Sequence, residues 1–239
     1  MPTNLPPSLP RVSWAEHAAK LARRWRPGED CTVVGPKGNG KTRLAVRGLL
    51  PVWNNAKVCI LDIKGDDPEL QVGIPVKSFP SRLEQRDRDS QGRRWYRVRL
   101  KLSDRMAARR VAYGVLARAH NQRHWAIYCD ELVVLSDPVT PDSMGLGLRA
   151  TLDHHYLVDR YRPVTLIAAS QQPSRVPTAS LDQSTHLYLG PMNDDYRNVR
   201  GGELLGSRAF RTVLADLRRY EWVYIYRPEH EMEIVSVGV

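Results

Sequence analysis

The sequence predicts an α/β domain in which a mostly parallel central sheet is flanked by helices and closed by a C-terminal β-hairpin. Three observations predict it. Apolar runs of strand length alternate with helical segments over residues 31–189, the pattern of parallel strands covered on both faces. The first run leads into Gly35-Pro36-Lys37-Gly38-Asn39-Gly40-Lys41-Thr42, a G-x-x-x-x-G-K-T loop set between a strand and a helix. Near its end the chain carries two strand-rich pieces, 222–227 and 233–239, split by Pro228-Glu229-His230, which read as a hairpin.

Taken in order, the first ten residues are rich in proline and have neither a basic n-region nor an apolar h-region, so they read as an arm and not a signal peptide. Ser13-Trp14-Ala15-Glu16 is a capping-box pattern, and Trp14, Ala18, Leu21 and Trp25 recur at helical spacing before Pro27-Gly28. A short amphipathic helix is expected there, packed on the flank of the domain. We place the arm and helix at 1–30 and the main domain, which carries the G-x-x-x-x-G-K-T loop, at 31–239, a length that suits one α/β domain. Core strands are expected at Cys31–Val34, Lys57–Ile63, His124–Asp130, Val164–Ser170 and His186–Leu189. The three cysteines, Cys31, Cys59 and Cys129, fall inside such runs with no C-x-x-C spacing, as small core hydrophobes of a reducing compartment do.

The loop Gly35, Pro36, Lys37, Gly38, Asn39, Gly40, Lys41, Thr42 carries the chemistry of phosphate binding. Glycines let successive N–H groups turn inward around the β- and γ-phosphates, Lys41 supplies a point charge, and the Thr42 hydroxyl ligates Mg²⁺. Lys41 to Leu50 opens a helix whose N-terminus faces the anion. ATP with Mg is therefore the expected ligand pair. Trp125 to Cys129 is an apolar strand ending in Asp130-Glu131. Asp130 is placed to hold the Mg²⁺ shell and Glu131 to polarise the attacking water as general base. The alternative is a helix-capping aspartate beside a solvated glutamate. The run Val164 to Ser170 ends in Gln171-Gln172, and Gln171 is the candidate to hydrogen-bond the γ-phosphate or the water and report hydrolysis. His154 and His155 have no H-E-x-x-H pattern or second ligand cluster with them, so no transition-metal site is expected.

The formal net charge is +10, which suggests a polyanionic partner beyond the nucleotide, with membrane lipid or a merely solvated surface as alternatives. Residues 82–118 concentrate it, with twelve Lys/Arg against four Asp/Glu. Within that stretch Arg93, Trp95, Arg97, Arg99 and Lys101 alternate with Tyr96, Val98, Leu100 and Leu102. A strand here would show a basic face carrying one aromatic, with an apolar face beneath. It reads either as a phosphate-backbone contact surface or as a charged edge strand protected from aggregation. No apolar run approaches the ~20 residues of a membrane span.

The order of these segments resembles the FtsK/HerA family of DNA-pumping ATPases over about 31–189. Asp62, Lys64 and Gly65 match the family's Asp-x-Lys-Gly at the end of the second strand. Ala169, Ser170, Gln171, Gln172 and Pro173 match its Ala-Thr-Gln-Arg-Pro, with Gln172 in place of the usual arginine. The resemblance implies a RecA-like P-loop NTPase fold and Mg-dependent ATP hydrolysis coupled to movement of double-stranded DNA through a hexameric or otherwise ring-like assembly. It further implies an arginine that completes the neighbouring subunit's site. Arg160 is the first candidate and Arg162 the second, against two solvated arginines at a helix C-terminus. A short chain with one motor domain and no membrane segment is most similar to the viral genome-packaging members. That implies a place in the host cytoplasm or with the virion, and a capsid or membrane partner as tether. A DNA transfer or segregation motor, a small-acceptor kinase and a nucleotide-gated assembly factor remain the alternatives.

Overall fold

The computed structural model describes residues 8–65, 67–101, 103–136, 152, 154–156, 163–171, 176–192 and 208–237. Ten strands form one sheet in the order β1-β10-β9-β8-β2-β7-β6-β3-β5-β4. They are β1 (Arg11–Ser13), β2 (Cys31–Val34), β3 (Lys57–Asp62), β4 (Ile74–Val76), β5 (Trp95–Arg99), β6 (Trp125–Cys129), β7 (Val164–Ser170), β8 (His186–Leu189), β9 (Glu221–Tyr226) and β10 (Glu231–Ser236). From β8 through β2, β7, β6, β3 and β5 to β4 every pairing is parallel. The hairpin β9–β10 joins β8 antiparallel, and β1 runs parallel to β10. The expected mostly parallel α/β sheet with a C-terminal hairpin is the architecture found.

Alternate residues of each central strand feed two cores. Cys31 and Val33, Val58 and Ile60, Ala126 and Tyr128, and Ile167 and Ala169 pack on one face. Val34, Cys59, Leu61, Ile127, Cys129, Leu166 and Ala168 pack on the other. Every residue of β2, β6, β7, β8 and β9 is buried, which is why these segments read as continuous apolar runs and not as an alternation. All three cysteines are buried and free.

Helix α1 (Trp14–Arg24) begins with the predicted capping box, the Ser13 side chain accepting from Glu16 N and Glu16 from Ser13 N. It covers the first face together with α2, which starts at Lys41–Arg43 and continues as a π-helical turn (Leu44–Leu49) and a 3₁₀ turn (Leu50–Trp53). The helices touch through Trp14 and Gly48, where a Cβ would lie 2.5 Å from the indole. α1 also carries a buried histidine that its apolar spacing does not reveal. Neutral His17 fits a single tautomer, with Nδ1–H donating to Glu233 Oε1 (2.6 Å) and Nε2 accepting from the Tyr188 hydroxyl (2.6 Å). Burial pushes the His17 pKa down against the pull of Glu233. His17→Ala is expected to lower unfolding stability by about 3 kcal/mol, because Glu233 and Tyr188 each lose a buried partner at ~1–3 kcal/mol. Denaturant titration checks this, and a loss under about 0.5 kcal/mol, the scale of an ordinary surface change, would remove His17 as the anchor of α1.

The second face carries α3 (Arg105–Gln122), α4 (Leu132–Ser136) and α5 (Thr178–Gln183), and α6 (Arg208–Ala215) precedes the hairpin. At the N-terminal edge of the strands, His155 Nε2 meets Asp30 Oδ1 (3.0 Å), and its Nδ1 meets His120 Nε2 (2.7 Å). The same Asp30 oxygen accepts from Leu166 N. This network ties α3 to the sheet at the end opposite the glycine-rich loop.

The basic stretch differs from its sequence reading. β5 lies between β3 and β4, so it is not an edge; Tyr96, Val98 and Leu100 are buried beneath it, while the other face runs from buried Trp95 through half-buried Arg97 to exposed Arg99. Trp95 is fully buried in the first core and not set on a solvated basic face. The arginines beside it spend their donors internally. Arg93 bonds Asp89 (2.9 Å) and lies over the Trp95 ring at 3.7 Å, and Arg97 donates to Leu70 O (3.0 Å). Arg82, Arg86, Arg88, Arg99 and Lys101 remain exposed. Among the described residues no helix is long and apolar enough to cross a membrane.

Candidate active site

The site lies at the carboxyl ends of the parallel strands, the general position of ligand crevices in open α/β sheets. Gly35 N donates to Ser170 O (3.1 Å), joining the start of the loop to the end of β7. Gly38 and Gly40 have φ of +81° and +79°, left-handed values that favour glycine. Asn39 is buried, and its Oδ1 accepts from Tyr220 N (3.1 Å) at the start of the hairpin. Pro36, Lys37 and Gly38 form the exposed crest.

Lys41 is 5% exposed and folds back across the loop, its ammonium donating to Gly35 O and Pro36 O at 2.8 Å each. An ammonium has three donors, so one remains for an anion held by the loop. Burial, aided by Lys64 and opposed by Glu131 and Asp130, brings the Lys41 pKa down to about 8.

Three oxygen-bearing side chains converge beside it. Thr42 Oγ1 lies 3.1 Å from Asp130 Oδ1 and 3.1 Å from Asp67 Oδ2, yet one hydroxyl proton can serve only one of them at a time. Asp130 is fully buried, and its Oδ1 also accepts from the Tyr128 hydroxyl (3.0 Å). Its Oδ2 is 2.8 Å from Lys64 Nζ, an ionic contact without the alignment of a hydrogen bond. An all-oxygen set of one hydroxyl and two carboxylates suits a hard divalent cation such as Mg²⁺. Among the described residues no group of three or more His, Cys, Asp or Glu forms a metal cluster.

Glu131 sits on the other side of Asp130. Ser170 Oγ donates to its Oε1 (3.0 Å), and Gln171 N donates to both carboxylate oxygens (3.3 Å). Burial raises the Glu131 pKa, opposed by those hydrogen bonds and by Lys41 and Lys64. A carboxylate held in this way is a stronger proton acceptor than a solvated one.

Of the residues singled out in the sequence, the loop, Lys41, Thr42, Asp130 and Glu131 come together. Gln171 meets the cluster through its backbone N–H. Arg160, Arg162 and Gln172 lie outside the described residues. Sequence reasoning missed Lys64 and Asp67 as members of the cluster. Lys64 carried a signal, the Asp62-x-Lys64-Gly65 pattern. Asp67 carried only its place in an acidic pair, because nothing local shows that the turn after β3 folds onto α2.

No family model and no curated protein matches this chain. Solved structures do. The DNA-packaging ATPase B204 from Sulfolobus turreted icosahedral virus aligns with a TM-score of 0.67 at 13% identity, over 90% of this chain and 100% of that one. The genome packaging NTPase B204 from Sulfolobus turreted icosahedral virus 2, in complex with ATP-gammaS, aligns with a TM-score of 0.64 at 14% identity, over 88% of this chain and 98% of that one. The conjugation coupling protein TcpA of pCW3 aligns with a TM-score of 0.56 at 13% identity, over 97% of this chain and 69% of that one. The chain thus has the P-loop ATPase fold of these packaging and conjugation proteins.

Proposed function

We propose that this chain is a Mg-dependent ATPase that moves double-stranded DNA through a ring of its own copies, in the manner of a genome-packaging motor. The observation that carries the reading is the convergence of Thr42, Asp130 and Glu131 beside a glycine-rich loop, with each acid in a different environment. Asp130 is ion-paired and fully buried, as a cation-holding group needs to be. Glu131 has a raised pKa and hydrogen bonds that fix its position, as a general base does. Backbone N–H groups of the loop and the Lys41 ammonium bind the phosphates, and Gln171 reports the γ-phosphate to the end of β7. Thr42 and Asp130, with Asp67 beside them, hold Mg²⁺, which when bound neutralises charge developing on the transferred phosphoryl group. Arg160, with Arg162 as runner-up, acts on the neighbouring subunit's nucleotide.

The DNA half of the reading is supported by the net charge of +10, by the exposed Arg82, Arg86, Arg88, Arg99 and Lys101, and by likeness to a protein described as a DNA-packaging ATPase. Transfer of DNA between cells is the second reading, favoured by the likeness to a conjugation coupling protein. Steady-state ATP hydrolysis across a titration of linear double-stranded DNA at two salt concentrations tests the proposal. Stimulation that weakens steeply with salt is expected, since each neutralised phosphate releases a counterion. Turnover indifferent to DNA would leave the ATPase and remove the pump. Turnover that instead requires a small acceptor would make the protein a kinase, and binding without turnover an assembly factor.

A further inference from the structure

The groups that face a γ-phosphate, Thr42, Asp130 and Glu131, all lie on the β7 and β6 side of the glycine-rich loop. A nucleotide whose γ end meets them runs its ribose and base the other way, toward β8 and β9. The segment leading into β9 is what the fold places there. Tyr220 N donates to Asn39 Oδ1 (3.1 Å), and its ring comes so close to Gly40 that a Cβ there would lie 2.8 Å from Cδ1. Behind it Trp222 packs on Gly35, where a Cβ would lie 3.0 Å from the indole. Tyr220 itself is held at φ +67°. A bulky residue in that region is strained, and such strain persists only where the surroundings impose it, often at ligand sites. The Arg219 guanidinium lies over the Tyr220 ring at 4.8 Å and is exposed to solvent. Asn39, the loop residue that fixes this turn, is 3% exposed, and its Nδ2 donor has no partner among the described residues.

We propose that Arg219 and Tyr220 form the seat of the nucleobase, a stacked guanidinium and phenol that receive a planar base by its face while the loop holds the phosphates. The proposal rests on the ATPase reading. It explains why the hairpin is bonded to the loop at Asn39. Stacking on an aromatic ring or a guanidinium needs only a π-face, so the seat takes purine nucleotides without reading the base edge.

Calorimetric titration of the full chain with MgATP and, separately, with Mg-tripolyphosphate tests it, because tripolyphosphate has the phosphates and lacks the base. Wild type is expected to bind ATP more tightly than tripolyphosphate. Arg219→Ala and Tyr220→Asn should each weaken ATP by about tenfold, the scale of one lost base stack, and leave tripolyphosphate unchanged. Asparagine tolerates the left-handed backbone and keeps the N–H that bonds Asn39, so the turn survives the loss of the ring. Equal losses for both ligands would assign the pair to the phosphates or to the turn and overturn the seat. So would undiminished ATP affinity in both variants, or a wild type that binds the two ligands equally. A wild type that binds neither ligand would defeat the ATPase reading itself, and the seat with it.

Discussion

Glu131→Gln is expected to lower ATP hydrolysis by at least about 10²-fold, the usual scale for losing a general base, while nucleotide affinity stays close to that of wild type. Glutamine keeps a carbonyl oxygen where Ser170 Oγ and Gln171 N now donate, so the side chain holds its place and only proton acceptance is lost. Paired titration and single-turnover measurements check both halves. Turnover equal to wild type would remove Glu131 from the chemistry, and loss of ATP binding would make it a binding residue. The pH dependence follows from the raised pKa of Glu131. Wild-type turnover should fall with acidification at a pH above that of an ordinary glutamate, and the residual activity of Glu131→Gln should lack this limb. A carboxyl whose pKa is raised by folding costs stability when ionised. That cost is fully present above the folded pKa and is relieved as pH falls through it. Glu131→Gln should therefore melt above wild type at pH 8, with the gain shrinking toward pH 5.

The segments legible in the sequence are the ones whose environment is uniform along the chain. β2, β7 and β8 begin and end where the apolar runs predict, because each is buried on both faces, with β2 and β8 stopping at Gly35 and Gly190 and β7 set between Pro163 and Gln171. The glycine-rich loop and the Asp130-Glu131 pair were readable for the same reason, each being contiguous. β1 and β4 have three residues apiece, too few for any periodicity, and exist because a neighbouring strand offers free hydrogen bonds. The apolar face of β5 was read correctly, but the place of Trp95 on the other face was not, because alternation reports which residues share a side, not how much of that side meets water. β4 lies outside it and removes the edge, and along the basic face burial falls from Trp95 through Arg97 to the exposed Arg99. Lys64 and Asp67 could not be placed from spacing at all. Their contacts with Asp130 and Thr42 span 66 and 25 residues and arise only when the turn after β3 packs against α2. Tyr220 left no trace either, since a left-handed residue usually announces itself as glycine or asparagine.

Asp130→Asn is expected to abolish the dependence of ATP binding on Mg²⁺ and to cut turnover by roughly 10³-fold, the equivalent of the several kcal/mol a bound cation supplies to phosphoryl transfer. The side chain is fully buried, with Thr42 and Tyr128 on Oδ1 and Lys64 beside Oδ2. Asparagine preserves the shape and one acceptor, yet it removes the charge that both Lys64 and a divalent cation answer to, and sets an amide against the ammonium if its nitrogen takes the Oδ2 position. The comparison with Asp67→Asn separates holding the cation from merely lining the site. Asp67 divides its work, Oδ2 meeting Thr42 and Oδ1 capping the turn at Glu69 N (3.0 Å), and its side chain is 21% exposed, so its loss should weaken Mg²⁺ without abolishing its effect. ATP dissociation constants measured with Mg²⁺ and with a chelator decide the matter. In Asp130→Asn the two values should converge on the chelator value of wild type. A variant that still binds ATP more tightly with Mg²⁺ would show that Asp67 and Thr42 hold the cation by themselves. A variant whose chelator value has also collapsed would show that Asp130 supports the loop through Tyr128 and Thr42, and that its charge is structural.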